Sequence, residues 1–166
     1  MLRSLNALTH EDISVKSVRR QASDFSARFS CTMREYKYFI CTDAYRPLLM
    51  KGFCWHIPKE LDLEAMRAAA AYLVGEHDFK SFCMAASAEG KSTMRNVFSI
   101  DVSREGAWGE NLVVITVKGN AFLHSMVRTI VGTLVAVGLG RRRPEWIAEV
   151  LEARNRAAAG ENAPAQ

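Results

Sequence analysis

Residues 122–135 constrain the fold more than any other stretch of the chain. Wound as a helix, Phe122, Leu123, Met126, Val127, Ile130, Val131, Leu134 and Val135 surround most of the circumference, and a helix that is apolar on nearly every side has to be buried. Arg128, Thr129 and Thr133 interrupt the run, so it does not read as a membrane span. At about 100° per residue, His124, Ser125, Arg128 and Gly132 share one narrow stripe of this rod. Asn120 is placed to cap the helix, and Gly138 or Gly140 to end it.

A guanidinium on such a rod demands an explanation. Taking the charge out of water costs several kcal/mol unless charge-assisted hydrogen bonds replace the lost solvent, so Arg128 calls for a carboxylate, a phosphate or a ring of backbone carbonyls. The other reading is that its long stem carries the charge from the helix flank out to water. The residues alone leave both open.

The remaining periodicities supply the layers that cover this helix. Ile13–Val18 alternates like a half-buried strand. A longer strand, or two with a bend, is predicted from Arg28 to Cys41, with Phe29, Cys31, Met33, Phe39 and Cys41 on one face and Arg28, Arg34, Tyr36, Tyr38 and Ile40 on the other. Gly52–Ile57 reads as a short strand. Asp62 is a candidate N-cap for a helix carrying Leu63, Met66, Ala70, Leu73 and Val74, with Gly75 placed to end it. Residues 85–93 read as a loop. Phe98, Ile100 and Val102 alternate with polar residues, and EGAWGEN links them to the β-branched run Leu112–Val117 as a hairpin. Pro144 suits the first turn of a third helix with Trp146, Ile147, Val150 and Leu151 on one stripe. Strands followed by helices predict an α+β fold, a mainly antiparallel sheet with helices packed on one face. Residues 1–156 are read as one domain, and residues 157–166 as a tail without a core pattern.

Composition narrows the class. With 49% hydrophobic and 24% charged residues among 166, the chain is neither a disordered polar segment nor a collagen-like repeat. Its four cysteines show no C-x-x-C spacing and read as reduced, packed thiols, while Cys54 and His56 alone do not make a metal site. The amino terminus lacks the apolar core of a signal peptide, which predicts a cytoplasmic protein. A net charge of +4 is compatible with an anionic partner without demanding one.

Two groups of residues bear on such a partner. Arg28, Arg34, Tyr36 and Tyr38 put cations beside aromatic rings, a pattern suited to bases and phosphates, since a base stacked on a ring gains roughly 1–3 kcal/mol. Tyrosines at alternate strand positions also occur as core residues with their hydroxyls at the rim. Arg141, Arg142 and Arg143 form a basic run that reads either as a phosphate contact or as a solvated loop. Phosphate-loop, nucleophile-elbow and zinc-helix motifs are absent.

In order along the chain, LRSLNAL (2–8), DFSARFSC (24–31), REYKYFI (34–40), GEHDFKSF (75–82), GNAFLHSMVRTIVGTLVAVG (119–138) and RRRPEWIAEVLEARNR (141–156) resemble the tRNA pseudouridine synthase A family. The resemblance covers nearly the whole chain, and the tail is similar to the family's A-P-A-x-G-L stretch. It implies an enzyme that isomerises uridine to pseudouridine in the anticodon arm of tRNA, without cofactor or metal, by cleaving the glycosidic bond and rejoining the base through carbon. It further implies that Tyr36 packs against the target uracil and that Arg128 holds a catalytic aspartate, lowering its pKa and fixing its aim. The base has to leave its stack before the bond is reached, which gives a waiting aromatic surface a purpose. Arg28, Arg34, Lys37, Lys91, Arg95 and Arg141 are the RNA contacts this reading suggests.

One departure is decisive: the family's nucleophile lies in a G-R-T-D-x-G-V-H-A-like motif upstream of the L-R-x-L-N-A-L segment, and these residues contain no such motif. The role passes to none of the aspartates present. The chain is therefore expected to be the carboxyl-terminal domain of such an enzyme, trimmed at both ends and inert alone. Its expected partners are tRNA and the missing amino-terminal half, with a homodimer left open and no membrane. Ser125 stands where the family commonly shows a second histidine, which argues against a required two-histidine role and does not touch Tyr36 or Arg128. The alternative is a standalone RNA-binding module using the Arg/Tyr strand face. A third reading is an oligomerisation domain with an exposed apolar face.

Overall fold

The apolar run Leu112–Val117 becomes the centre of a sheet. It lies in β5 (Glu110–Gly119), flanked by β1 (Arg34–Cys41) on one side and β4 (Met94–Ala107) on the other, both antiparallel to it. β2 (Trp55–His56) adds parallel to the end of β1, and β3 (Gly75–Asp78) adds antiparallel to β4, giving the order β2-β1-β5-β4-β3. Val113, Ile115 and Val117 of β5 face the main core, while Leu112 and Val114 join Cys41, Met50 and Cys54 in a smaller cluster. Apolar residues at both parities therefore mark a strand covered on both faces.

The main core takes Met66, Ala69 and Ala70 from α2 (Leu63–Ala71), Met126, Ile130, Val131 and Leu134 from α3 (Met126–Gly138), and Ile147 and Val150 from α4 (Trp146–Ala153). α3 is the buried rod the sequence demands. The architecture is α+β with a mainly antiparallel sheet. The computed structural model describes residues 1–84, 89–107 and 109–165, and they divide into one unit spanning Met1–Cys31 and a second from Thr32 onward. Among the described residues, no helix is long and apolar enough to cross a membrane.

Several elements differ from the sequence expectation, each for a local reason. Ile13–Val18 forms no strand, although its alternation is clean. The Asn6 side chain instead takes both backbone groups of Val15, donating to its carbonyl at 3.0 Å and accepting from its N–H at 2.8 Å. Asn6 belongs to α1 (Leu2–Leu8), a helix without a buried residue that the periodicity did not reveal. The strand predicted from Arg28 begins only at Arg34, and Arg28 lies in the first unit with its guanidinium 5.5 Å from the centre of the Phe29 ring.

Asp62 does cap α2, accepting from the Ala65 N–H at 2.9 Å, but the helix stops at Ala71, and Gly75 opens β3 instead of closing the helix. A bulge between Val97 and Ser99 reverses the expected alternation, burying Val97 and leaving Phe98 exposed. The hairpin between β4 and β5 forms and closes at Ala107 opposite Glu110. Residues 85–88 of the expected loop, and Trp108 of the expected turn, lie outside the described residues.

Candidate active site

β2 pairs only with Ile40 and Cys41, so among the described residues no strand of the sheet runs along the outer edge of β1 from Arg34 to Phe39. A cavity of about 560 Å³ opens along this edge. Tyr36, Lys37, Tyr38 and Phe39 all line it. Consecutive residues point to opposite faces, so the cavity meets the strand edge-on. Its far wall comes from Phe122, Ser125, Arg128 and Pro164.

Tyr36 is about half exposed, and its ring meets Phe122 edge to face with centroids 5.3 Å apart and planes at 85°. Gly119 makes that approach possible. A Cβ there would come 3.0 Å from the Phe122 ring and 2.9 Å from the Asn96 carbonyl. Asn120, expected to cap the helix, instead ties two strands of backbone together, its side-chain oxygen accepting from the N–H groups of Asn96 at 3.1 Å and Ala121 at 2.7 Å. Arg34 donates to the Asn120 carbonyl at 2.8 Å. These bonds fix the segment that carries Phe122 to the start of α3. Ser125 precedes the helix in a left-handed conformation, φ 61°, without a side-chain capping bond. A non-glycine residue held this way at a cavity wall is a local strain that the surrounding structure has to impose.

His124 and Ser125 therefore lie ahead of α3, and the polar seam of the helix itself is Arg128, Thr129, Gly132 and Thr133. This seam is filled by the residues read as a tail without a core pattern. Arg128 Nε donates to the Ala163 carbonyl at 2.6 Å, and the Ala163 N–H donates back to the Arg128 carbonyl at 3.0 Å. Thr129 Oγ1 reaches Asn162 Oδ1 at 2.6 Å, and the Gly160 N–H donates to Thr133 Oγ1 at 3.1 Å. Tyr38 donates its hydroxyl to the Pro164 carbonyl at 2.7 Å. Ala163 is fully buried. The tail is thus part of the core, and it lacked a pattern because it packs through backbone groups and small side chains.

Arg128 is half-buried. Of the partners foreseen for it, a single backbone carbonyl is present. Among the described residues it forms no ion pair, and none of the residues lining the cavity is acidic.

The structure brings Tyr36, Lys37, Tyr38, His124, Ser125 and Arg128 of the residues singled out from the sequence to one cavity, while Lys91, Arg95 and Arg141 do not line it. Lys91 is exposed in the turn before β4. Arg95 donates to the carbonyls of Ser92 at 3.0 Å and Met94 at 2.6 Å, while its Nε is buried without a partner. Arg141 lines a different cavity, with Trp55 and Trp146. Cys54 is buried, which pushes its thiol up to about 11, and His56 Nε2 lies 2.9 Å from the Asp43 carbonyl. No group of three or more candidate metal ligands occurs among the described residues. Sequence reasoning missed Phe53 and Phe122, both cavity-lining aromatics, and Pro164. The small and hydroxyl residues along α3 were the available signal for the tail, because such a stripe admits another backbone.

Known proteins are similar to this chain over nearly its whole length. Residues 69–166 match the model of the tRNA pseudouridine synthase family. The chain is 44% identical over 161 residues to a protein of Vibrio parahaemolyticus named tRNA pseudouridine synthase A, covering 97% of the chain and 59% of that protein. Likewise named proteins of Halalkalibacterium halodurans, at 40% identity with 97% and 59% coverage, and Pectobacterium atrosepticum, at 43% with 98% and 56%, are similar over the same extent. The chain spans about three fifths of the length of these relatives. Its last 98 residues fit the family model, and its helix, strand edge and tail converge on one cavity; the chain belongs to the tRNA pseudouridine synthase family.

Proposed function

We propose that the chain takes part in converting uridine to pseudouridine in the anticodon arm of tRNA, in the cytoplasm where that substrate is met. In this reading Tyr36 packs against the uracil after the base has left its stack, with Phe122 bracing the Tyr36 ring from the side. Arg128 then holds and aims a carboxylate nucleophile that attacks while the glycosidic bond breaks, and the base rejoins the ribose through carbon. A guanidinium beside a carboxylate keeps it ionised and restricts its orientation.

One observation carries the proposal: Tyr36 and Arg128, from a strand and a helix far apart in sequence, line one cavity to which no described residue contributes a carboxylate. The nucleophile then comes from outside these 166 residues, and the edge of β1 beyond the short β2 is where further protein has room to stand. On this reading the 166 residues alone bind RNA without changing it.

The test is pseudouridine formation on unmodified tRNA. A chimera in which this chain replaces the matching segment of the Vibrio parahaemolyticus relative is expected to form pseudouridine, and the 166-residue chain alone to form none. Activity of the chain alone would overturn the assignment of the nucleophile. An inactive but folded chimera would overturn the functional reading.

A further inference from the structure

We propose that the loop from Tyr45 to Phe53 is a second nucleotide-stacking platform, binding the single-stranded RNA next to the uridine taken up at Tyr36. The proposal rests on the reading of the cavity given above.

The loop is pinned from outside, and the two carboxylates beside it, Glu110 and Asp43, are already bonded. The Glu110 carboxylate accepts three successive backbone N–H groups, from Leu48 at 2.7 Å, Leu49 at 3.1 Å and Met50 at 3.3 Å. The Asp43 carboxylate is occupied by Asn111, through its backbone N–H at 2.9 Å and its side-chain amide at 2.6 Å. Pro47, Met50 and Cys54 are buried and anchor the loop to the sheet. A turn closed by the Phe53 N–H on the Met50 carbonyl at 2.9 Å, with Gly52 at φ +84°, sets the direction of Phe53.

A loop so pinned would be expected to tuck its large apolar groups under itself. It does the reverse: Phe53 is 69% exposed and Tyr45 86% exposed, with Arg46 and Lys51 exposed between them. Phe53 lines the same cavity as Tyr36 and Lys37. The only acid between residues 43 and 54 is Asp43, already bound to Asn111, so the outward surface carries two rings, two cations and the exposed side chains of Leu48 and Leu49. Rings on a fixed support, interleaved with cations, match the flat faces of unpaired bases and the phosphates that join them. Lysine is depleted at the cores of protein interfaces, whereas a cation beside each exposed ring complements an RNA backbone.

The experiment measures binding of a short anticodon stem-loop RNA to the 166-residue chain at low salt. The RNA carries 2-aminopurine at the nucleotide adjoining the target uridine. Phe53→Leu keeps an apolar group at an exposed site, and thermal melting of each variant checks the fold. Wild type is expected to bind and to alter the 2-aminopurine emission by stacking. Phe53→Leu should weaken binding about ten-fold and abolish that change, and Phe53→Trp should restore both. Lys51→Gln should lower the slope of log affinity against log salt by about one.

Equal affinity and equal emission for wild type and Phe53→Leu would overturn the platform. If Tyr36→Ala still weakens binding in that case, the reading of the cavity stands without it. A wild-type chain that binds no RNA at low salt would remove both. Sedimentation of the variants supplies the remaining outcome: a Phe53→Leu change that alters only self-association would assign the loop to a protein interface and reject RNA.

Discussion

Arg128 and Ala163 clasp each other through the backbone: the guanidinium Nε donates to the Ala163 carbonyl at 2.6 Å, and the Ala163 N–H returns a bond to the Arg128 carbonyl at 3.0 Å. One arginine therefore fixes the last residues of the chain and at the same time stands in the wall of the cavity. In the chimera described above, Arg128→Ala should lower single-turnover pseudouridine formation by roughly a hundredfold or more, the scale of losing an electrostatic group at a reacting centre. RNA affinity should change by less than about three-fold, because the proposed partner of the arginine is a protein carboxylate. An unchanged single-turnover rate would reject the role of Arg128.

Gly132 is the point where the tail crosses α3. A Cβ there would lie 1.8 Å from the Glu161 carbonyl oxygen and 3.2 Å from the Ala163 nitrogen, both backbone atoms that cannot rotate aside. Gly132→Ala should destabilise the chain by about 1–3 kcal/mol through overpacking and speed amide exchange in residues 160–165. Gly106→Ala is the control, since nothing lies within 4 Å of a Cβ at that position. Equal melting temperatures for the two variants would mean that the tail is not docked as described.

The hydrogen bonds from Asn111 hold the Asp43 carboxyl below its ordinary value of 3.8. A carboxyl with a depressed folded-state pKa contributes stability above its unfolded value and loses it as pH falls through the folded one. Asn111→Ala removes the side-chain bond, so it should lower stability at neutral pH, and the difference from wild type should shrink as pH drops below about 3.8. Denaturant unfolding at a series of pH values reads this directly. A difference independent of pH would show that Asn111 acts by packing and not through Asp43.

Cys41, Cys54 and Cys83 are buried and Cys31 is half-buried. With the Cys54 thiol pushed up to about 11 by burial, its thiolate is scarce at pH 8 in addition to being inaccessible. A thiol reagent should label Cys31 first, and the other three only as the chain unfolds. Mass mapping of the sites checks the order, and early labelling of Cys54 would contradict its burial.

Much of this protein was legible because the signals are local. The circumference of residues 122–135 required a buried helix, Asp62 marked the start of α2, and the β-branched run in β5 marked a covered strand, since periodicity and capping depend only on near neighbours. Other features were settled by groups distant in sequence. Ile13–Val18 alternates like a strand, but a strand needs a partner's backbone, and the Asn6 side chain took the groups of Val15 instead. The bulge at Phe98 reversed a face assignment that counting could not correct.

The fate of Arg128 shows the division most plainly. The sequence by itself determined that a cation sits on a rod that must be buried, and left open whether it meets a partner or reaches water. Only the tertiary structure decided that this partner is a carbonyl 35 residues away, beside a cavity along the outer edge of β1. A backbone carbonyl is common to every residue and leaves no trace in the order of side chains, so only the folded path of the chain reveals which one is met.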